Sequence, residues 1–323
     1  MKKIMFLSLF TASVMLLLPL TVINEGSPAI FTTAIQSSII KNNSGVTDST
    51  SFRVLNTEND KVTKIKTEDY IFSVVAAEMP ALYEDEALKA QAVAAYTFAL
   101  SRRAENKDKS YDITTDYTID QSYITEADAK KKWGENAEEY EKKIRNAVKG
   151  VSGYVITHNG SPIISVYHAI SSGKTEDSEN VWGVSLPYLK SVNSVGDKLS
   201  EDYKTETEFT LEQLKEKLNE EFEIKDTEDG IFKDISRTAS GTVENITVYG
   251  KEVTGTRLRS ILNLRSSNFE IEEKDGKYKF ITYGYGHGVG MSQNGANYMA
   301  KQGSDFKEIL MHYYTDCKIE KLK

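Results

Sequence analysis

The stretch VVAAEMPALYEDEALKAQAVAAYTFAL, residues 74–100, sets the architecture. Its first part ends a helix that starts at Thr67, with Ile71, Val74, Val75 and Met79 on an apolar side and Pro80 stopping it. Its second part predicts a helix from Glu84 to Arg103. Glu84, Asp85 and Glu86 lead this helix, and Arg102 and Arg103 close it, as the helix dipole prefers. Ala87, Ala90 and Ala94 are small enough to let another element approach closely. The pair therefore reads as a helical hairpin at the heart of the core.

Outward from this pair the pattern is mixed. Residues 126–149 form a charged helical stretch suited to the surface. The segment 153–173 has β-branched runs around Asn159-Gly160, a strong hairpin signal. Residues 209–222 read as an amphipathic helix with Thr210 and Gln213 placed for a capping box. Strands follow near 231–237, 243–250, 268–273 and 278–283, with a short helix near 256–264. Met291 to Tyr314 reads as two helices broken at Gly303-Ser304. Strands and helices do not alternate regularly, so the expected class is α+β, with a cleft between a helical part and a β-rich part. Residues 196–282 are a candidate for a partly separate lobe.

The N-terminus has a different composition. Lys2 and Lys3 precede an uncharged run from Ile4 to Ile23. Twenty residues at helical rise just span a bilayer core, so 1–23 reads as an uncleaved membrane anchor rather than a shorter, cleaved signal peptide. The lysines hold their end in the cytoplasm and leave the remainder outside. Residues 24–66, rich in Ser, Thr and Asn, read as a flexible tether, and 67–323 as the functional unit. The formal charge of −8 argues against a nucleic-acid partner. Without the two anchor lysines, 38 basic residues face 48 acidic ones, a balance of −10. Cys317 is the only cysteine, which excludes an intramolecular disulfide and a four-cysteine zinc site.

Three clusters can carry chemistry. Glu78, near the C-terminal end of an apolar helix, meets both the negative dipole end and low polarity. Both disfavour its charged form and suit a general acid. Ser171, Ser172 and Lys174 open a long polar loop that runs on to Trp182, and polar donors beside an aromatic face suit a sugar. Gly284, Gly286, Gly288 and Gly290 imply unusual backbone angles around His287, with Gln293 at the start of the next helix; both side chains can bind substrate. The glycine spacing fits no dinucleotide fingerprint, and His158, His168, His287 and His312 show no metalloprotease spacing. No metal and no cofactor is expected.

The quoted stretch, SSGKTEDSENVWGVSLPYLKSV (171–192), GYGHGVGMSQNGANYMA (284–300) and EILMHYYTD (308–316) together resemble the stage II sporulation protein D family. The resemblance covers about 65–320, in order. It implies a membrane-anchored lytic transglycosylase that cuts peptidoglycan glycan strands during engulfment of the forespore, beside an amidase/endopeptidase partner that removes stem peptides. It places the catalytic acid on Glu78, and activity-supporting residues on Tyr188 and Lys190. Two departures stand out. The family arginine of the A-V-A-A-R motif is Tyr96 here, and Arg102 is a candidate substitute. Some members hold zinc through His and Cys in the segment matching 111–123, which here contains neither. The Tyr96 departure keeps an alternative open, a non-catalytic glycan-binding scaffold of a membrane-anchored wall complex.

Overall fold

The computed structural model describes residues 50–219, 222 and 230–322. The expected anchor, and the tether up to residue 49, lie outside the described residues. The rest of the tether, 51–66, is folded, which corrects that expectation. Strand β1 (Ser51–Asn56) pairs antiparallel with β2 (Lys61–Lys66), and β3 (Ile113–Thr114) adds to β1 in parallel. Phe52 and Val54 of β1 point into the core, whereas β2 is a lysine-rich, mostly exposed edge. Edge strands carry charge to resist pairing, so this one reads as linker by composition.

Helix α1 (Thr67–Glu78) follows β2 directly, and Met79 leaves it in extended conformation ahead of Pro80. Residues Tyr70 to Ala76 are all buried, so α1 has no polar face. Helix α2 (Asp85–Glu105) is 21 residues long, about 32 Å at helical rise. It packs on α1, on α4 (Ala137–Gly150), on α8 (Gln293–Lys301), on α9 (Phe306–Tyr313) and on β4 (Tyr154–His158). Its buried alanines 87, 90, 92, 94, 95 and 99 make room for these neighbours. Thr97 joins helix to strand. Its Oγ1 donates to Val93 O at 2.8 Å and accepts the Ile156 N–H at 3.0 Å. Between these lies α3 (Glu126–Trp133), capped by the Thr125 side chain.

Strand β4 turns back through Asn159 and Gly160, both at positive φ, into β5 (Ser161–Pro162), as the Asn-Gly signal predicts. Strand β6 (Tyr167–His168) follows, then the short helix α5 (Ser178–Trp182). A second hydrophobic cluster runs from Phe209 to Phe280. It is built by β7 (Lys204–Thr210), α6 (Leu211–Asn219), β8 (Phe232–Lys233), β9 (Asn245–Val248) and β10 (Lys251–Thr254). Helix α7 (Gly255–Leu262), β11 (Phe269–Lys274) and β12 (Lys277–Tyr283) complete it. Strand orders are β11-β12-β7 and β10-β9-β8. The expected capping box is present: Gln213 Oε1 accepts the Thr210 N–H, and Thr210 Oγ1 accepts the Gln213 N–H.

The chain returns to the main core through β13 (Met291–Ser292), parallel to β6, and ends in β14 (Lys318–Lys321), which pairs with β4. A buried carboxylate fastens this return. Asp197 accepts hydrogen bonds from Ser171 N (2.9 Å), Ser171 Oγ (2.5 Å), Ser292 Oγ (2.7 Å) and Asn294 Nδ2 (3.2 Å). It thereby joins the 171–174 loop to the start of α8. Asp197→Ala is expected to cost roughly 3 kcal/mol, because it orphans buried donors. Asp202→Ala, on the exposed partner of Arg265, is expected to cost under about 0.5 kcal/mol. Urea unfolding of the two variants measures the difference.

Candidate active site

Glu78 is the last residue of α1, so the core that buries the helix also fixes where its carboxyl emerges. Oε1 accepts the Ser122 N–H at 2.8 Å. Burial pushes the carboxyl above its ordinary value, and the hydrogen bond from Ser122 partly offsets this. The carboxyl opens on a pocket of about 500 Å³, within the range that accommodates a small ligand or one or two sugar units. The walls come from the end of α1, the 117–122 loop, β6, Trp182 of α5 and the Tyr285-Gly286-His287 turn. The second hydrophobic cluster contributes none of the lining residues.

The 117–122 loop is held from beneath. The Asp120 side chain is fully buried; Oδ1 accepts from Arg102 Nε at 2.5 Å, and Oδ2 accepts from Thr114 N and Oγ1 at 2.8 Å each. Gln121 donates to Tyr70 Oη at 3.1 Å and to Ala95 O at 3.3 Å, and accepts from Tyr167 Oη at 3.0 Å. The next residue is Ser122, whose N–H meets Glu78. Arg102 therefore acts on the loop rather than on the glutamate. Tyr96, at the position of the family arginine, is a core residue set edge-on to Phe52 at 6.2 Å.

His287 is spent on the backbone. The Val289 N–H donates to Nδ1 at 3.1 Å, which leaves the proton on Nε2 to donate to Tyr167 O at 3.0 Å. Burial, with His168 and Arg259 nearby, lowers its pKa to about 3, so the ring is neutral. What it offers the pocket is a flat face, set 5.2 Å from the Trp182 ring. His168 bonds Val289 O through Nδ1 at 3.1 Å, and burial lowers its pKa to about 4. Gly286 sits at φ 113°, and a Cβ there would lie 2.8 Å from His168 Cβ, so the turn needs glycine to come this close.

Of the expected site residues, Glu78, His287 and Gln293 line the pocket. Gln293 Nε2 also donates to Gln91 Oε1 at 3.4 Å. The others sit elsewhere. Tyr188 is in the main core, where its oxygen accepts the Ile164 N–H at 3.4 Å and burial pushes the phenol up to about 12. Lys190 Nζ is at the surface, 3.2 Å from Ser185 Oγ and 3.7 Å from Asp177. Ser171 is buried on Asp197; Ser172 Oγ donates to Ser240 O at 3.2 Å; the Lys174 backbone bridges Asn193. Sequence reasoning missed Tyr117, Gln121, Ser122, Tyr167 and His168. In the sequence the 111–123 segment and His168 bear only on metal, and it is the packing around α2 that gathers these residues at the pocket.

Comparison with known proteins places the chain in a family. The sequence model of the SpoIID family, described as stage II sporulation protein, matches residues 55–158. The stage II sporulation protein D of Bacillus amyloliquefaciens is 38% identical over 264 residues, covering 81% of this chain and 76% of that protein. The protein of the same name from Bacillus subtilis (strain 168) is 38% identical over 272 residues, covering 83% and 78%. A protein named amidase enhancer from Bacillus subtilis (strain 168) is 27% identical over 292 residues, covering 75% of this chain and 39% of that one. At this identity over most of both chains, the protein belongs to the stage II sporulation protein D family, and its role lies in sporulation.

Proposed function

We propose that the protein is a lytic transglycosylase acting on peptidoglycan glycan strands with Glu78 as its acid and base. One observation carries this reading. Two carboxyl groups line the pocket, Glu78 and Asp120, and Asp120 is fully committed to Arg102 and Thr114. Ordinary glycoside hydrolysis needs two working carboxylates. A single raised acid suits a reaction whose nucleophile is already part of the substrate.

In that reaction the Glu78 carboxyl protonates the oxygen linking N-acetylmuramic acid to N-acetylglucosamine. The bond to the muramic anomeric carbon breaks, and its electron pair leaves with the oxygen. The muramic C6 hydroxyl attacks the anomeric carbon and returns its proton to Glu78. The products are a free N-acetylglucosamine 4-hydroxyl and a 1,6-anhydro end, with no net use of water. Ser122 N–H holds the carboxylate between the two proton transfers. Neutral His287 and Trp182 supply an uncharged wall against which developing positive charge on the sugar is not repelled. Residues 4–23 would anchor the enzyme with its pocket facing the wall during engulfment. An amidase/endopeptidase partner would supply strands without stem peptides; the likeness to a protein named amidase enhancer supports such a link.

Glu78→Gln is expected to cut release of anhydro ends from peptide-free strands by at least about 100-fold, read by product chromatography. Wild-type binding to strands with no cleavage would instead favour a non-catalytic scaffold. Because the acid form starts the reaction, wild-type activity is expected to fall as pH rises through the raised Glu78 value.

The same shift predicts a stability effect. A carboxyl whose pKa is higher in the fold favours the fold while protonated, and this contribution disappears as pH rises through the folded value. Glu78→Gln, uncharged throughout, is therefore expected to melt above wild type at neutral pH. That margin should vanish below the ordinary value of 4.5, as thermal unfolding across pH would show.

A further inference from the structure

We infer that Tyr117 is a sugar-stacking platform at the mouth of the pocket; the inference rests on the glycan-cleaving reading above. Tyr117 is 61% exposed, and among the described residues it is the one exposed large apolar side chain that also lines the pocket with Glu78. Such a ring gains nothing for the fold by standing in water.

The loop beneath it is rigid. Asp116 Oδ1 accepts from Thr118 N at 2.8 Å and Thr118 Oγ1 at 2.6 Å, and Asp116 O accepts from Ile119 N at 3.2 Å and Asp120 N at 2.8 Å. Two residues before Tyr117 in the chain, Thr115 N donates to Leu55 O at 3.0 Å, and three residues after it Asp120 is clamped by Arg102. These bonds hold the backbone that carries Tyr117. A tyrosine has few rotatable bonds, so its ring loses little entropy when it binds.

The chemistry follows from the shape of a sugar. The C–H face of a pyranose ring is apolar and slightly positive, and it matches the negative face of an aromatic ring. Trp182, the last residue of α5 and far away in sequence, lines the same pocket. Two aromatic faces and one acid in a single pocket fit a strand of linked sugars, held by stacking while the acid works on one bond. Tyr117 would contribute binding and leave the chemical step to Glu78.

The test measures affinity in a background that cannot cleave. In Glu78→Gln protein, adding Tyr117→Ala is expected to weaken binding of peptide-free glycan strands about tenfold, whereas adding Tyr117→Phe retains it. In the active enzyme, Tyr117→Ala is expected to raise KM with kcat little changed. The melting temperature should stay at the parent's, since the side chain is exposed. Equal affinity of the Ala variant and its parent overturns the inference. So does a loss shared by Phe, which would mean a hydrogen bond from the hydroxyl instead of stacking. Failure of the parent to bind strands at all overturns it too. Strand binding by the Glu78→Gln parent that Tyr117→Ala weakens, with no anhydro ends released by the wild type, keeps the inference while overturning the transglycosylase reading, so the two can fail separately.

Discussion

The structure depends on one constraint: the middle of α2, residues 90–100, must be buried on every side. A helix surrounded by α1, α4, α8, α9 and β4 cannot carry large side chains toward each of them, because interiors pack without spare volume. Alanine satisfies this where a backbone must come close, and the larger Leu88, Val93 and Phe98 fill the remaining gaps. The consequence reaches the pocket. α2 holds α1, and α1 ends at Glu78. It presents Ala95 O to Gln121, Ala94 O to Ser165, and Arg102 to Asp120. The loop that meets the Glu78 carboxyl is thus registered against the same helix that positions the carboxyl.

This explains what could be read from the chain and what could not. The two central helices, the Asn159-Gly160 turn and the Thr210/Gln213 cap follow from local rules, and each has the predicted form. The placement of Glu78 at a helix end in apolar surroundings was legible in the sequence, and the structure sets it there, on the pocket wall. The hairpin at 51–66 was hidden because its outer strand is charged and its inner strand shows only Phe52 and Val54 to the core. The 171–190 loop misled in the opposite direction. Its serines look like sugar donors, but Ser171 serves the buried Asp197, and Tyr188 serves the core. A polar sequence cannot tell a hydroxyl aimed at substrate from one that satisfies a buried carboxylate; that distinction is tertiary.

The segment 111–123 is held to the core by ion pairs. Asp112 receives Arg53 through Nε at 3.0 Å and NH2 at 2.7 Å, and Arg103 at 2.9 Å; burial alone would raise this carboxyl, but the two arginines bring it below the usual range. Eight residues on, Asp120 receives Arg102. Both anchors are carboxylates met by arginines, two of which sit in the last turn of α2. Fork-shaped guanidinium groups give these contacts directionality that a lysine would lack.

The pocket's proton chemistry follows from the same burial. Exclusion from water pushes Glu78 up, and it pushes His168 and His287 down, so each group moves toward its neutral form. The histidines are further fixed by backbone partners, which leaves them as shape and hydrogen-bond structure rather than proton carriers. Glu78 is the pocket carboxyl free of ion pairs, and its hydrogen bond from Ser122 limits how far burial can raise it. A buried carboxyl with one backbone N–H aimed at its oxygen keeps a raised value without losing its anionic form, whereas a second charged partner would favour the carboxylate outright.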